Sequence, residues 1–387
     1  MTASWKKNNK ITVIAGTMPA NAIHKPQKYK HKWVVRTNQS GINVIRTYVS
    51  SGYNKSFIGR FWGYMSFMVS SLWAGLFSLR EKYDVMIVTS PPLFVAISGI
   101  LVSKVRRIPL IFEVRDLWPE SAIDTGVLTS KFLIRIAYAV EHFAYKSASK
   151  IVVLTPAFKE KLIQAKHIPE RKIAVIPNGS DFDLVEDLSF DRNAFRKDNG
   201  WEESFVFVYV GAHGVANQLE QLIHAATHLN NQKIKLVCIG DGMQKEALKS
   251  LSKQLNVNAV TFIEPVGKPE IFKYIMAADV GITALKKVPT FNTIYSNKTF
   301  DYMSCKTPIL MLVGGISKEL VERAECGIYA EPENAVAIAQ AMTKLSKMSA
   351  NELKQMGQSG HDYAKKHFDR KSLTSQYLNA ISNTVNV

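Results

Sequence analysis

The chain is expected to be an α/β protein of two domains, each a doubly wound, Rossmann-like parallel sheet with helices on both faces, the two facing across a cleft. Three observations predict this. Short apolar, β-branched runs alternate with helical segments from residue 84 onward, and a strand without a polar face must be covered on both sides. The alternation starts afresh after a polar, charged stretch at residues 183–202. Finally, 387 residues with 47% hydrophobic and 21% charged side chains are globular in composition but exceed what one core supports.

Taken in order, Ile11 to Gly16 is a short strand, followed by a loop through Pro19 and Pro26, and Asn43 to Tyr48 is a second strand. Asp84–Thr89, Ile108–Glu113, Ile151–Leu154 and Ile173–Ile176 are further strands, with helices over Leu93–Ser103, Lys131–Lys146 and Pro156–Gln164 between them. The polar stretch at 183–202 is expected to be a connection. The second unit has strands at Phe205–Val210, Ile234–Ile239, Val260–Ile263, Val280–Thr283 and Ile309–Val313, and helices fill most of 317–385. Domain boundaries are expected at 1–183 and 184–366, with 367–387 a final helix packing back toward the first domain.

Forty-nine Lys and Arg against 32 Asp and Glu give a net charge of +17, and the excess is concentrated at one end. Residues 1–80 contain twelve basic side chains (Lys6, Lys7, Lys10, Lys25, Lys28, Lys30, Lys32, Arg36, Arg46, Lys55, Arg60 and Arg80) and no acidic one. Met1 to Lys10 is polar and basic and does not read as a secretory leader. Cys238, Cys305 and Cys326 are odd in number and widely spaced, which argues against a disulfide framework or a zinc site and for a reducing compartment. No metal site is expected.

From Phe61 to Leu79 there is no charged residue, and Arg60 and Arg80 flank the run. Gly63, Ser66, Ser70, Ala74 and Ser78 recur at helical spacing, so a small or polar stripe lies beside a face of Phe, Trp, Met and Leu. Three readings stand: a helix packed on a sheet, a helix bedded in lipid headgroups, or a transmembrane helix. The basic surroundings suit an anionic membrane surface contacted by residues 1–80 and the helix at 57–80.

Ligands of open parallel sheets gather beyond the carboxyl ends of the strands. Arg115-Asp116 follows one strand of the first domain, as an acceptor-orienting pair or a local ion pair. In the second domain the strand ends carry Gly211-Ala212-His213-Gly214, Gly240-Asp241-Gly242 and Pro265-Val266-Gly267. The glycines let backbone approach a phosphate closely. His213 is a proton carrier, a sugar contact or a structural histidine.

Tyr295 to Leu310 reads as loop, one tight helix, break and buried strand. Ser296 or Asn297 is placed to cap the helix, and its free N–H groups and dipole suit a diphosphate. Lys298 adds a full positive charge. Asp301, one turn on, is placed to accept hydrogen bonds from two ribose hydroxyls. The competing reading is an ordinary helix with a capping Ser, a solvated Lys and a solvated Asp.

In unbroken order, Thr89-Ser90-Pro91-Pro92-Leu93-Phe94, Phe112 to Ser121, Val153-Leu154-Thr155-Pro156, Val175 to Gly179, Gly211 to Gly214, Gly240 to Gly242, Ala278 to Gly281 and Ser296 to Met303 resemble the retaining glycosyltransferases of family 4. These have the two-domain GT-B fold. The resemblance is greatest to the bacterial branch that builds O-antigen, capsule, lipopolysaccharide and other exopolysaccharides, including N-acetylfucosaminyl transferases. It implies a UDP-sugar donor in the cleft, with no cofactor and no divalent metal. Backbone at Pro265 and Val266 would hold the base, Asp301 the ribose, and the Ser296 helix end with Lys298 the diphosphate. Gly211, His213, Gly214, Gly240, Asp241, Gly242, Tyr295 and Asn297 would complete the donor site. Arg115 and Asp116 would align the hydroxyl of a lipid-linked saccharide, with the protein peripheral on the inner face of the bacterial plasma membrane.

The sequence departs from the family at Asp301, usually Glu, and at Ala212 and Asn217, where many members carry Arg and Lys. A first βα unit of roughly 30 residues is expected to be missing from the first domain, with Ile11–Ala15 resembling the family's second strand. That motivates an alternative, a non-catalytic or truncated nucleotide-sugar-binding chain. Nucleic-acid binding has no groove-reading or stacking motif behind it.

Overall fold

The computed structural model describes residues 5, 9–18, 25–53 and 57–385. Lys6, Lys7, Pro19 and Lys55 lie outside the described residues. Two compact units are present: Met1–Pro177 with Lys371–Val387, and Asn178–Arg370.

The first unit opens with β1 (Thr12–Gly16), β2 (Val34–Gln39) and β3 (Ile42–Thr47). β3 lies between the other two, parallel to β1 and antiparallel to β2. β2 was not expected from the sequence. It exists because Ser40 and Gly41 both take positive φ, 52° and 84°, the primed turn whose twist matches a two-residue hairpin.

Helix α1 (Phe57–Trp73) continues through a π-helical turn at Ala74–Ser78. Then follow β4 (Met86–Ser90), α2 (Val95–Arg106), β5 (Leu110–Val114), α3 (Glu120–Asp124), α4 (Lys131–Ser147), β6 (Lys150–Val153), α5 (Pro156–Gln164) and β7 (Ile173–Val175). The four strands pair in chain order and all run parallel. β5 is buried along its whole length, Glu113 included, whose Oε2 accepts from the Thr89 hydroxyl at 2.8 Å. Thr155 caps α5 by accepting from the Phe158 N–H at 3.0 Å, with Pro156 at the first helical position.

The second unit begins with α6 (Phe182–Glu186) and α7 (Arg192–Asp198), in the stretch that the sequence marked as a connection. Phe182, Phe195 and Trp201 pack into the core here, and a buried cation fastens α7 beside them. The Arg196 guanidinium donates to the carbonyls of Ala277 (2.7 Å), Trp201 (2.9 Å) and Ser204 (2.6 Å) and pairs with Asp279 at 3.2 Å.

There follow β8 (Phe205–Val210), α8 (Glu220–Ala226), β9 (Ile234–Ile239), α9 (Lys245–Gln254), β10 (Val260–Ile263), α10 (Lys268–Ala277) and β11 (Val280–Ala284). The unit closes with α11 (Asn297–Ser304), β12 (Ile309–Leu312), α12 (Ile316–Arg323), β13 (Gly327–Tyr329), α13 (Ala335–Ser346) and α14 (Ala350–His367). All six strands are parallel, in the order β10-β9-β8-β11-β12-β13. One core, around Phe272, Phe300 and Tyr302, covers one face of this sheet, and another, around Leu222, Leu248 and Met342, covers the other. The strand order reverses between β8 and β11, the position where open sheets leave a crevice at their carboxyl ends. The last helix, α15 (Arg370–Val385), belongs to the first unit from Lys371 on. Its Leu373 and Tyr377 pack with Trp5, Ile111 and Val152.

Candidate functional site

At the carboxyl end of the second sheet, the loops after β8, β9 and β10 are stitched to one another. Gly211 N–H bonds the Ile239 carbonyl (3.0 Å), His213 N–H the Asp241 carbonyl (2.9 Å) and Gly240 N–H the Ile263 carbonyl (3.1 Å). Backbone lies on backbone here. A Cβ at Gly240, which has φ +147°, would stand 1.9 Å from the Gly211 oxygen, so only glycine fits. Lys245, buried, ties the arrangement from below, donating to the Gly240 carbonyl (3.0 Å) and to Glu264 Oε1 (2.6 Å). Pro265 is exposed and Val266 half-buried beyond that anchor. Asp241 is exposed and accepts from the Gly242 N–H at 2.8 Å.

His213 is fully buried, and neither ring nitrogen has a hydrogen-bond partner among the described residues. Burial, aided by the Lys245 charge, lowers its pKa to about 4, so the ring is neutral near pH 7. Of the three roles suggested by the sequence, the internally satisfied histidine is the one its geometry does not support.

α11 is held against the sheet by Tyr302. Its hydroxyl accepts from the Val210 N–H (3.1 Å) and donates to the Ile282 carbonyl (3.0 Å), joining the helix to β8 and β11 at the strand-order reversal. Thr299 and Thr283 hydroxyls lie 3.2 Å apart, and Asn178 donates to Asn297 Oδ1 at 2.8 Å. Ser296 stands at the cap position, but its side chain makes no capping bond. This corrects the expectation for Ser296 and Asn297: Ser296 Oγ instead accepts from Lys298 Nζ at 3.4 Å. Among the described residues the N–H groups at the start of α11 therefore have no side-chain acceptor, and the positive end of the helix is left uncapped by Ser296.

Lys298 Nζ also lies 4.9 Å from the centre of the Tyr209 ring, and its Cε comes within 3.3 Å of where a Cβ on Gly211 would be. Burial around the ammonium lowers its pKa to about 8, and the nearby Asp301 charge opposes that shift. No carboxylate lies within ion-pair distance of it among the described residues; Asp301 is nearest Lys268, at 3.9 Å. Burial raises the Asp301 pKa, and the Lys268 and Arg370 charges oppose the rise. Tyr295, by contrast, packs its ring against Phe300 (6.0 Å) and Phe368 (5.7 Å).

Arg115 and Asp116 belong to the first unit, directly after β5. Arg115 is exposed, and its N–H bonds the Ser90 carbonyl at the end of β4 (3.0 Å). Asp116 accepts from the Ser121 hydroxyl at 2.7 Å, so its bond is not the local ion pair with Arg115. Burial raises the Asp116 pKa, and the Ser121 bond opposes that. Among the described residues, no group of three or more His, Cys, Asp or Glu is placed to hold a metal ion.

Sequence reasoning missed Tyr209, Lys245 and Tyr302 as parts of this site. Lys245 had a signal, three residues after Gly-Asp-Gly at the start of a helix. Tyr209 sits in an apolar run and Tyr302 in a short, mostly polar helix, and neither position gave one.

Residues 26–179 match the family described as Glycosyl transferase 4-like domain, and residues 204–348 match Glycosyl transferases group 1. An uncharacterized glycosyltransferase of Methanocaldococcus jannaschii is 25% identical over 54% of this chain and 53% of its own length. The "Probable glycosyltransferase WbjE" of Pseudomonas aeruginosa is 21% identical over 72% of this chain and 70% of its own. WcaI of Escherichia coli, named for colanic acid biosynthesis, is 20% identical over 82% of this chain and 78% of its own. In fold, the chain is similar to Anabaena HepE, solved with UDP-glucose (TM-score 0.68, 19% identity, 82% of each chain). It is also similar to a sucrose-phosphate synthase of Thermosynechococcus elongatus (TM-score 0.73, 16% identity, 98% of this chain and 90% of that one). With matches to the 4-like and group 1 domains tiling its two units, the chain belongs to the GT-B glycosyltransferases.

Proposed function

We propose that this glycosyltransferase moves a sugar from a UDP-sugar to a hydroxyl of a lipid-linked saccharide, with retention at the anomeric carbon, during assembly of a surface polysaccharide. It would work peripherally at the inner face of the bacterial plasma membrane. The observation that carries the donor half is Lys298. A half-buried ammonium with no carboxylate partner among the described residues, beside N–H groups of α11 that Ser296 leaves uncapped, is poised for a diphosphate. As the bond from the anomeric carbon to the diphosphate oxygen breaks, the charge developing on that oxygen meets donors already in place. This is the reason to propose transfer without a divalent cation.

Asp301 is the candidate ribose acceptor, and the backbone beyond β10 at Pro265 and Val266 the base site. In the first unit, Asp116, its carboxyl steadied by Ser121, is the candidate to orient the incoming hydroxyl, with Arg115 beside it. The lipid-linked acceptor and the polysaccharide role draw on the names of WbjE and WcaI, and the UDP donor on the HepE complex. The test is calorimetry with UDP and UDP-sugars, then incubation with radiolabelled UDP-sugars and bacterial lipid extract in the presence of a chelator. Label in the lipid fraction is expected, with the product anomer read by NMR. UDP binding with label left only in free sugar would point instead to a non-catalytic binder.

A further inference from the structure

Helix α1 presents its small residues inward and its large ones outward. On its buried face, Ser70 Oγ donates to the Tyr48 carbonyl at 2.7 Å, and Ser71 and Ser98 hydroxyls lie 3.0 Å apart. Gly75 sits so close to Val102 that a Cβ would stand 2.5 Å from it. Facing out are Ile58 (68% exposed), Trp62 (60%), Val69, Trp73 and Phe77 (70%). An amphipathic helix in water does the opposite. Trp62 and Trp73 are eleven residues apart, about 16 Å along the axis, so the apolar strip runs the length of the helix. Among the described residues no helix is long and apolar enough to cross a membrane.

α2 lies alongside in the same direction. Phe61 meets Phe94 at one end (6.2 Å between ring centres), and at the other the Arg106 guanidinium donates to the carbonyls of Leu76 (2.9 Å) and Leu79 (2.7 Å). It adds exposed Leu101 and Val105. Exposed Arg80, Lys104 and Arg107 lie on the same pair of helices or at their ends. Apolar rings and aliphatic side chains accompanied by cations match a surface of acyl chains and anionic headgroups.

A row of rings leads inward from this face. Trp62 to Phe61 is 6.3 Å, Phe61 to Phe94 6.2 Å and Phe94 to Trp118 6.2 Å, centre to centre. Phe61, Phe94 and Trp118 are each half-buried, and Trp118 is two residues past Asp116.

We propose that the α1–α2 face seats in an anionic bilayer and that the row from Trp62 to Trp118 guides the lipid portion of the acceptor, bringing its saccharide end to Asp116. This rests on the lipid-linked acceptor proposed above. The test is co-sedimentation with vesicles of phosphatidylethanolamine and phosphatidylglycerol, or of phosphatidylcholine alone. The full chain is expected to sediment with the anionic vesicles. Binding should fall at least tenfold in the double variants Trp73→Ser/Phe77→Ser and Lys104→Glu/Arg107→Glu, with circular dichroism and UDP binding unchanged. Phe94→Ala should raise KM for the lipid-linked acceptor while leaving KM for the donor, and transfer to a short water-soluble acceptor, as they were. Absence of sedimentation, sedimentation indifferent to both double variants, or a protein dimer abolished by Trp73→Ser/Phe77→Ser would overturn the docking surface. Equal KM changes for both acceptors would overturn the ring row. Vesicle binding needs neither donor nor acceptor, so it can fail while transfer to a soluble acceptor succeeds, and the reverse.

Discussion

Lys298 Nζ stands over the ring of Tyr209, 4.9 Å from its centre, with Ser296 Oγ, 3.4 Å away, accepting its hydrogen bond. An aromatic face steadies a cation without neutralising it, so the charge remains available to an incoming anion. Replacing Lys298 by Met keeps the stem and removes the charge. Loss of a charge-assisted bond costs about 1.5–3 kcal/mol, so the Kd for UDP should rise roughly 10- to 100-fold. An unchanged Kd in calorimetry would remove Lys298 from the donor site.

The same ammonium gives a pH signature. Its pKa falls from the usual 10.5 to about 8 in the free folded protein, so it loses its proton as pH rises through 8. UDP affinity should weaken across that region, and the Lys298→Met variant should not show this component. Between 8 and 10.5 the unfolded chain binds more protons than the folded one, so this group adds stability as pH rises through that window. UDP, favouring the charged form, should take up protons on binding near pH 8. Calorimetry in two buffers of different ionisation enthalpy measures that uptake, and zero uptake refutes the assignment.

His213 titrates in the opposite range. Its folded pKa of about 4 lies below the ordinary 6.5, so between these values the unfolded chain binds more protons and folding weakens as pH falls through that window. Urea unfolding at pH 7 and pH 5 should show the loss, reduced in His213→Leu. NMR should place the imidazole midpoint well below 6; a midpoint near 6.5 would contradict the burial argument.

Gly240 and Gly267 separate backbone contact from loop position. Gly240→Ala drives a Cβ into the Gly211 carbonyl in a left-handed conformation, whereas a Cβ on Gly267 meets nothing within 4 Å. The first should destabilise the unit by about 1–3 kcal/mol and weaken UDP binding; the second should do neither. Equal melting temperatures for the two variants would show that the loops can part freely.

Strands such as β12 were legible in the sequence because an unbroken apolar run buried on both faces has few alternatives. β2 was not, since Val34–Gln39 is mostly polar and owes its shape to the Ser40-Gly41 turn and to pairing with β3. Residues 183–202 looked like a connection because their apolar side chains, Val185, Leu188, Phe190, Phe195 and Trp201, are scattered without a period, and the Arg196 bonds to carbonyls leave no trace in the sequence. The helix start at Asn297, with Lys298 and Asp301 on its first turns, was legible in the sequence. The partner of Ser296 Oγ is decided by a lysine rotamer and could not be read there. Likewise the stripe on α1 was visible, but which side would face the neighbouring helix depended on Val102, Ser98 and Tyr48, far from it in the chain.

The outward rings of α1 also bear on how the isolated protein behaves. In buffer free of lipid or detergent, Trp62, Trp73 and Phe77 hold exposed ring area against water, and apolar area of that sort lowers solubility through non-specific aggregation rather than a defined dimer. Mild detergent, or polar residues at these few positions, should therefore improve monodispersity at high concentration.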